Sequence, residues 1–194
     1  MSEASAETVT EDEGPSRPNA EERAAWRAAA LRLVRQFPDP ALRNAATPVA
    51  DVDEDVRRLA ERMIDVMTRA HGVGLAAPQL GILRRVLVYR PSDDEDAVVL
   101  INPQLVERSD ETEVGTEGCL SLLGGELQVA IERHLRIKVS GVDASGEPVE
   151  LDAEGFEARV IQHEVDHLDG VLIVDRAKDE ERRGALRELR LRAG

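Results

Sequence analysis

The chain has 194 residues, of which 42% are hydrophobic but only 2% aromatic, so a core must be assembled from Val, Leu, Ile and Ala. A formal net charge of −14 argues against a broad nucleic-acid-binding face, with room only for local basic patches, and specific nucleic-acid binding is not expected. One cysteine rules out an intramolecular disulfide and fits a reducing, cytoplasmic setting; no secretory signal opens the sequence, and no run approaches the ~18 apolar residues of a membrane span.

Residues 1–19 are rich in Ser, Thr, Glu, Asp and Pro and read as a disordered acidic tail. From Ala20 to about Gln36 the composition of Ala, Arg and Leu with Trp26 predicts a helix, stopped by Pro38 and Pro40. Asp53 is placed to cap a second helix reaching Ala70, with Val56, Leu59, Met63, Met67 and Ala70 at helical spacing and Gly72 at the expected C-terminal cap. Arg85 to Tyr89 and Val98 to Ile101 are apolar enough for buried strands. Leu135 to Val139 alternates as a half-exposed strand does, and Asp143 to Gly146 is a turn before a strand from Val149 to Leu151. A helix is expected from Glu154 to Leu168, ending at Gly170, then a short strand from Val171 to Val174 and a charged helix from Lys178 to Arg192. The order gives an α+β fold, with short, mostly antiparallel strands packed around one central helix.

That central helix carries His163-Glu164-Val165-Asp166-His167, an HExxH pattern. Histidines four residues apart lie on one helix face, where both imidazoles can grip one metal ion while the intervening Glu164 reaches water beside it. Phe156, Val160, His163 and His167 follow the spacing of a core-facing stripe, and buried histidines need partners. Asp166 falls off the ligand face, with even odds of being a solvated carboxylate. Cys119 taken alone reads as a small buried hydrophobe. Beside an HExxH it becomes the natural third ligand, because a catalytic metal takes three protein ligands and leaves one position open. Gly72 to Gln79 supplies glycines after a helix but lacks the strand-before, helix-after setting of a nucleotide-binding loop.

Together the stretches Gly72–Gln79 (GVGLAAPQ), Glu117–Ser121 (EGCLS) and Gln162–Gly170 (QHEVDHLDG) resemble the ordered signatures of peptide deformylase, GxGxAAxQ, EGCLS and HExDH. Lesser echoes are Leu42-Arg43, Pro48-Val49 and Ile101-Asn102-Pro103. The resemblance implies a catalytic domain over residues 20–176, followed by a charged helix over 177–194, and removal of the formyl group from the N-terminal formylmethionine of newly made proteins. It implies that Cys119, His163 and His167 hold one divalent ion, Fe²⁺ as usual in the family, with Zn²⁺ or Ni²⁺ as alternatives. It further implies that Glu164 is the general acid and base for a metal-bound water, and that the Gln79 amide and Leu120 backbone N–H stabilise the developing oxyanion. Gly74 would pair with the substrate backbone and Val160 would line the methionine pocket. Glu117 would be structural or would support a ligand from behind, with Arg133 as its candidate partner. After EGCLS the family has an apolar residue followed by proline, whereas this chain has Leu122-Leu123, so a differently shaped loop is expected there.

Two other readings compete. A metalloprotease of the HExxHxxGxxH type is excluded by Ile173 at the third histidine's place, while a type using a downstream glutamate would need Glu188 to reach the metal. A non-enzymatic metal-binding protein would have no use for Glu164 and Gln79. The last helix, with Arg176, Lys178, Arg182, Arg183, Arg187, Arg190 and Arg192, reads either as a solvated face or as a dock near the ribosomal exit.

Overall fold

The computed structural model of the protein describes residues 19–92 and 94–192, so the acidic tail, up to residue 18, lies outside the described residues. Helix α1 runs from Ala20–Leu31. Asn19, the last residue of the predicted tail, is its N-cap: its side chain accepts from the Glu22 N–H, and Glu22 accepts in return from the Asn19 N–H. The helix stops five residues short of Gln36 because the Arg35 and Phe37 N–H groups are used elsewhere, on the Gln79 and Ser121 carbonyls. Helix α2, Glu54–Arg69, is capped by Asp53 and buries Val56, Leu59, Met63 and Met67 as the periodicity requires. Its C-terminal cap differs from expectation. His71, with φ 58°, takes the left-handed position, and the Gly72 N–H closes the cap on the Met67 carbonyl. Gly72 is needed for space instead: a Cβ there would lie 2.9 Å from the Leu120 side chain.

Strands β1 (Gly74–Ala76), β2 (Val86–Tyr89), β3 (Val98–Arg108), β6 (Arg136–Val142) and β7 (Pro148–Glu154) form one antiparallel sheet in the order β1-β2-β3-β6-β7. β4 (Thr112–Gly118) and β5 (Gln128–His134) form a separate hairpin. The unbroken apolar run of β2 follows from cover on both faces. Val86 and Val88 pack with α2, while Leu87 and Tyr89 pack with helix α3, Gly155–Leu168. β3 continues well past Ile101 through register shifts between Ile101 and Gln104 and between Leu105 and Glu107.

Helix α3 is buried almost all round from Ala158 to Leu168, with the five-stranded sheet against one side and the hairpin against another. Phe156 departs from its predicted core-facing place: it sits in the first turn of α3, is 56% exposed, and faces a cleft. The predicted strand from Val171 to Val174 is also corrected. Ile173–Arg176 is a helical turn, α4, whose Asp175 accepts from the Leu172 N–H. A short apolar run suits either element, and here burial of Leu172, Ile173 and Val174 against the hairpin decides it. Helix α5, Asp179–Arg192, adds Ala185 and Leu189 to the same cluster. No described helix is long and apolar enough to cross a membrane.

Candidate metal centre and active site

Three elements converge on one point. α3 presents His163 and His167 a turn apart, with ring centroids 5.0 Å from each other. The end of β4 delivers Cys119, whose Sγ lies 3.2 Å from His167 Nε2. The ligand atoms of Cys119, His163 and His167 lie within 4.8 Å of one another, and all three residues are buried. One thiol and two imidazoles are the donor set of a catalytic site for a divalent ion. A second observation agrees with such an ion and its water: Glu164 is only 4% exposed, yet its Oε2 has no hydrogen-bond partner among the described residues.

Burial lowers the His167 pKa, helped by the charges of His163 and Arg133, so its imidazole is neutral. On His163 burial acts the same way, but hydrogen bonds with Cys119 and Glu117 outweigh it and raise the pKa. Burial pushes the Glu164 pKa up to about 7, with Glu117 and Asp166 adding to it and the charges of His163 and Arg133 opposing.

His163 Nδ1 is held at 3.0 Å by Glu117 Oε2, which leaves Nε2 for the metal. Glu117 also accepts from Arg133 at 2.9 and 3.0 Å, as the sequence suggested, and from Arg159 at 2.9 Å. Burial alone would raise the Glu117 pKa, but the hydrogen bonds from His163 and Arg133 prevail and hold it at about 2. Asp166 is not a solvated carboxylate. It is 6% exposed and accepts from Arg133 at 2.5 Å and from Arg176 at 2.6 Å. A chain of charges therefore runs from the exposed Arg176 through Asp166, Arg133 and Glu117 to the His163 ring.

Gln79 is buried with its amide orientation fixed, because Oε1 accepts from the Ala76 N–H at 2.8 Å. Its Nε2 is turned toward Ser121 Oγ at 3.3 Å and Cys119 Sγ at 3.9 Å, at the metal side of the site. Gly74, Gln79, Leu120, Val160 and Glu164 all line one cleft of about 220 Å³, as do Phe156 and Arg159. A Cβ on Gly74 would fall 2.4 Å from Glu164 Oε1, so β1 needs glycine there to let the carboxylate lie against it. Every site residue proposed from the sequence is thus gathered in one place. Glu188 is not: it pairs with Arg192 on the exposed face of α5, outside the ligand cluster.

Arg159 went unnoticed in the sequence, and Gln162 entered only as the first residue of a signature stretch, with no role of its own. Arg159, one turn before His163, donates to Glu117, to the Ile131 carbonyl and to the Glu113 carbonyl. Gln162 bonds both the N–H and the carbonyl of His134, fastening the hairpin to α3. An arginine or glutamine on a helix carries no local sign of burial, and only the paired carboxylate Glu117 hinted at a second cation.

The Polypeptide deformylase family profile matches residues 31–183. The peptide deformylase of Thermotoga neapolitana is 51% identical over 149 residues, spanning 77% of this chain and 88% of that one. Among solved structures, peptide deformylase from Thermotoga maritima superposes with a TM-score of 0.71 at 50% identity, covering 75% of this chain and 96% of the other. Peptide deformylase from Synechococcus elongatus, in complex with actinonin, gives 0.75 at 37% identity, covering 80% and 85%.

Proposed function

This chain belongs to the polypeptide deformylase family and removes the N-formyl group from newly made peptides, and we propose that Cys119, His163 and His167 hold the single divalent ion it uses. The observation that carries this reading is the convergence of those three ligand atoms beside an unpartnered Glu164 oxygen. The donor set accepts several divalent ions, and Fe²⁺ is the proposal that the family resemblance favours over Zn²⁺ or Ni²⁺. When bound, the ion supplies Lewis acidity and a water reactive near neutral pH. Glu164 takes the proton from that water and hands it to the departing amine. The Gln79 side-chain N–H and the Leu120 backbone N–H donate to the formyl oxygen as charge develops on it.

The outer position of β1 in its sheet leaves the backbone at Gly74 free to pair with the substrate peptide, and Val160 and Phe156 supply apolar wall for the methionine side chain. Residues 20–176 form the proposed catalytic unit, with the acidic tail and the charged helix appended. Arg183, Arg187 and Arg190 on α5 are exposed and of the right sign to dock near the ribosomal exit. Such docking predicts that removing residues 178–194 weakens ribosome co-sedimentation.

Formate release from formyl-Met-Ala-Ser tests the assignment. Anaerobically purified protein is expected to release it, and Glu164→Ala at equal metal content to lose roughly 10²–10⁴-fold in kcat. No release by metal-loaded parent protein refutes the reading.

A further inference from the structure

The loop that follows Cys119 holds three consecutive residues in the left-handed region: Leu123 at φ 54°, Gly124 at 63° and Gly125 at 89°. Glycine adopts this conformation freely, but leucine does so at a cost of about 1–3 kcal/mol, and it persists only where surrounding structure imposes it. Few contacts within the loop impose it. Its own backbone bonds among residues 119–126 are single turns, from Leu122 N–H to Cys119, from Gly125 N–H to Leu122 and from Glu126 N–H to Leu123.

Gln128 of β5 holds the Gly125 carbonyl at 2.9 Å and Leu122 is buried in the hairpin cluster, and the rest of the constraint comes from the N-terminal arm, α1 and the residues just after it. Arg27 donates to the Gly124 carbonyl at 2.9 Å. Gln36 accepts from the Gly124 N–H at 3.3 Å and donates to the Leu120 carbonyl at 2.9 Å. Leu31 packs against Gly124, its Cδ1 3.2 Å from where a Cβ would stand. Immediately after Gln36, the Phe37 N–H bonds the Ser121 carbonyl at 2.9 Å, and just before it the Arg35 N–H bonds the Gln79 carbonyl at 2.7 Å. The arm thus grips both chain segments that carry the oxyanion donors, Gln79 and Leu120. Neither Arg27 nor Gln36 lines the cleft.

We propose that Arg27 and Gln36 are positioning residues for deformylation, holding the strained Leu120–Gly125 loop so that the Leu120 N–H points at the formyl oxygen. The proposal rests on the assignment of Leu120 as an oxyanion donor. The Leu120 N–H shares a peptide plane with the Cys119 carbonyl, which the Leu122 N–H holds; fixing the Leu120 carbonyl and the Gly124 peptide holds the planes that follow and so the turn on which that bond depends. Because donor placement acts on the transition state more than on the bound substrate, the arm should act on kcat and leave KM nearly unchanged.

The test uses the full-length, metal-loaded protein with Arg27→Ala, Gln36→Ala and the double variant. Arg27 is half-buried and Gln36 exposed, so folding is expected to survive. Two quantities are read: kcat and KM for formyl-Met-Ala-Ser, and amide hydrogen exchange at Leu120 to Glu126. The expected result is faster loop exchange with kcat down about tenfold in the double variant and KM within about twofold, since misplacing a donor by a fraction of an ångström costs less than deleting it. Arg27→Lys, which keeps a donor, should recover most of kcat. Unchanged exchange and unchanged kcat overturn the clamp itself. Faster exchange with unchanged kcat overturns the proposal in a different way, since it shows a clamped loop whose Leu120 N–H does not serve catalysis. A KM rise at constant kcat also overturns it, by showing a substrate-binding role.

Discussion

At the scale of single residues, the site depends as much on an absent side chain as on the groups present. Gly74 leaves room for Glu164 against β1, and a methyl there would collide with the carboxylate at 2.4 Å. Gly74→Ala must therefore move Glu164, since the backbone of a sheet strand yields less easily than a glutamate side chain. The expected outcome is a fall in kcat of about 10²-fold or more with metal content unchanged, because none of the three ligands is disturbed. Metal analysis beside steady-state kinetics checks it, and full activity would mean that the carboxylate need not lie where it does. The two histidines of the candidate metal centre were legible in the sequence because helical geometry alone brings positions 163 and 167 together. Cys119 needed the inference that a catalytic ion wants a third ligand. Asp166 and Arg159 were misread or missed because their partners, Arg133, Arg176 and Glu117, come from other elements. A charged residue on a helix looks solvated until the element that covers it is known.

Among the elements, the hairpin of β4 and β5 is what turns a histidine helix into a site. It supplies Cys119 and Glu117 and is tied to α3 by Arg133, which is buried and shared between Glu117 and Asp166. Replacing Arg133 with methionine keeps much of the volume but strands two buried carboxylates. Breaking one partner of a buried ion network costs about 3–5 kcal/mol, so Arg133→Met is expected to lower the stability measured by denaturant unfolding by that order. A loss under about 1 kcal/mol would show that the network is solvated in solution. This hairpin was also the least legible part of the fold. β4, with the sequence Thr-Glu-Val-Gly-Thr-Glu-Gly, is mostly polar and carries two glycines, which are poor strand formers. β5 did carry a readable signal, in the alternation of Val129, Ile131 and Arg133 toward the interior, but an arginine in that register disguised it. By contrast α2 was legible from the helical period of its apolar positions, β2 from its unbroken apolar run, and α3, apart from Phe156, from the spacing of its histidines.

Across the whole molecule the described residues bury three separate apolar clusters: one between α2 and the sheet, one between α3 and the sheet's other face, and one beneath the hairpin with α4 and α5. Three kinds of link join the third to the second: the Arg133 network, the hydrogen bonds of Arg159 and Gln162 to the hairpin backbone, and the ligand set, with two members on α3 and one at the hairpin's end. An ion bound there adds a cross-link between layers that polar side chains, Arg133, Arg159 and Gln162, already join. Its removal is therefore expected to weaken the protein without unfolding it, since the Arg133 network and all three cores persist. At an ion concentration about a thousandfold above Kd, binding contributes about 4 kcal/mol, and at about 2–4 °C per kcal/mol this corresponds to a fall in Tm of roughly 8–16 °C on chelation. Far-UV circular dichroism should stay unchanged at room temperature, while hydrogen exchange should rise first in β4 and β5. An unchanged Tm after verified metal removal would show that the ion does not join these layers. Collapse of the secondary structure on chelation would show instead that the buried network carries far less of the fold than its geometry implies.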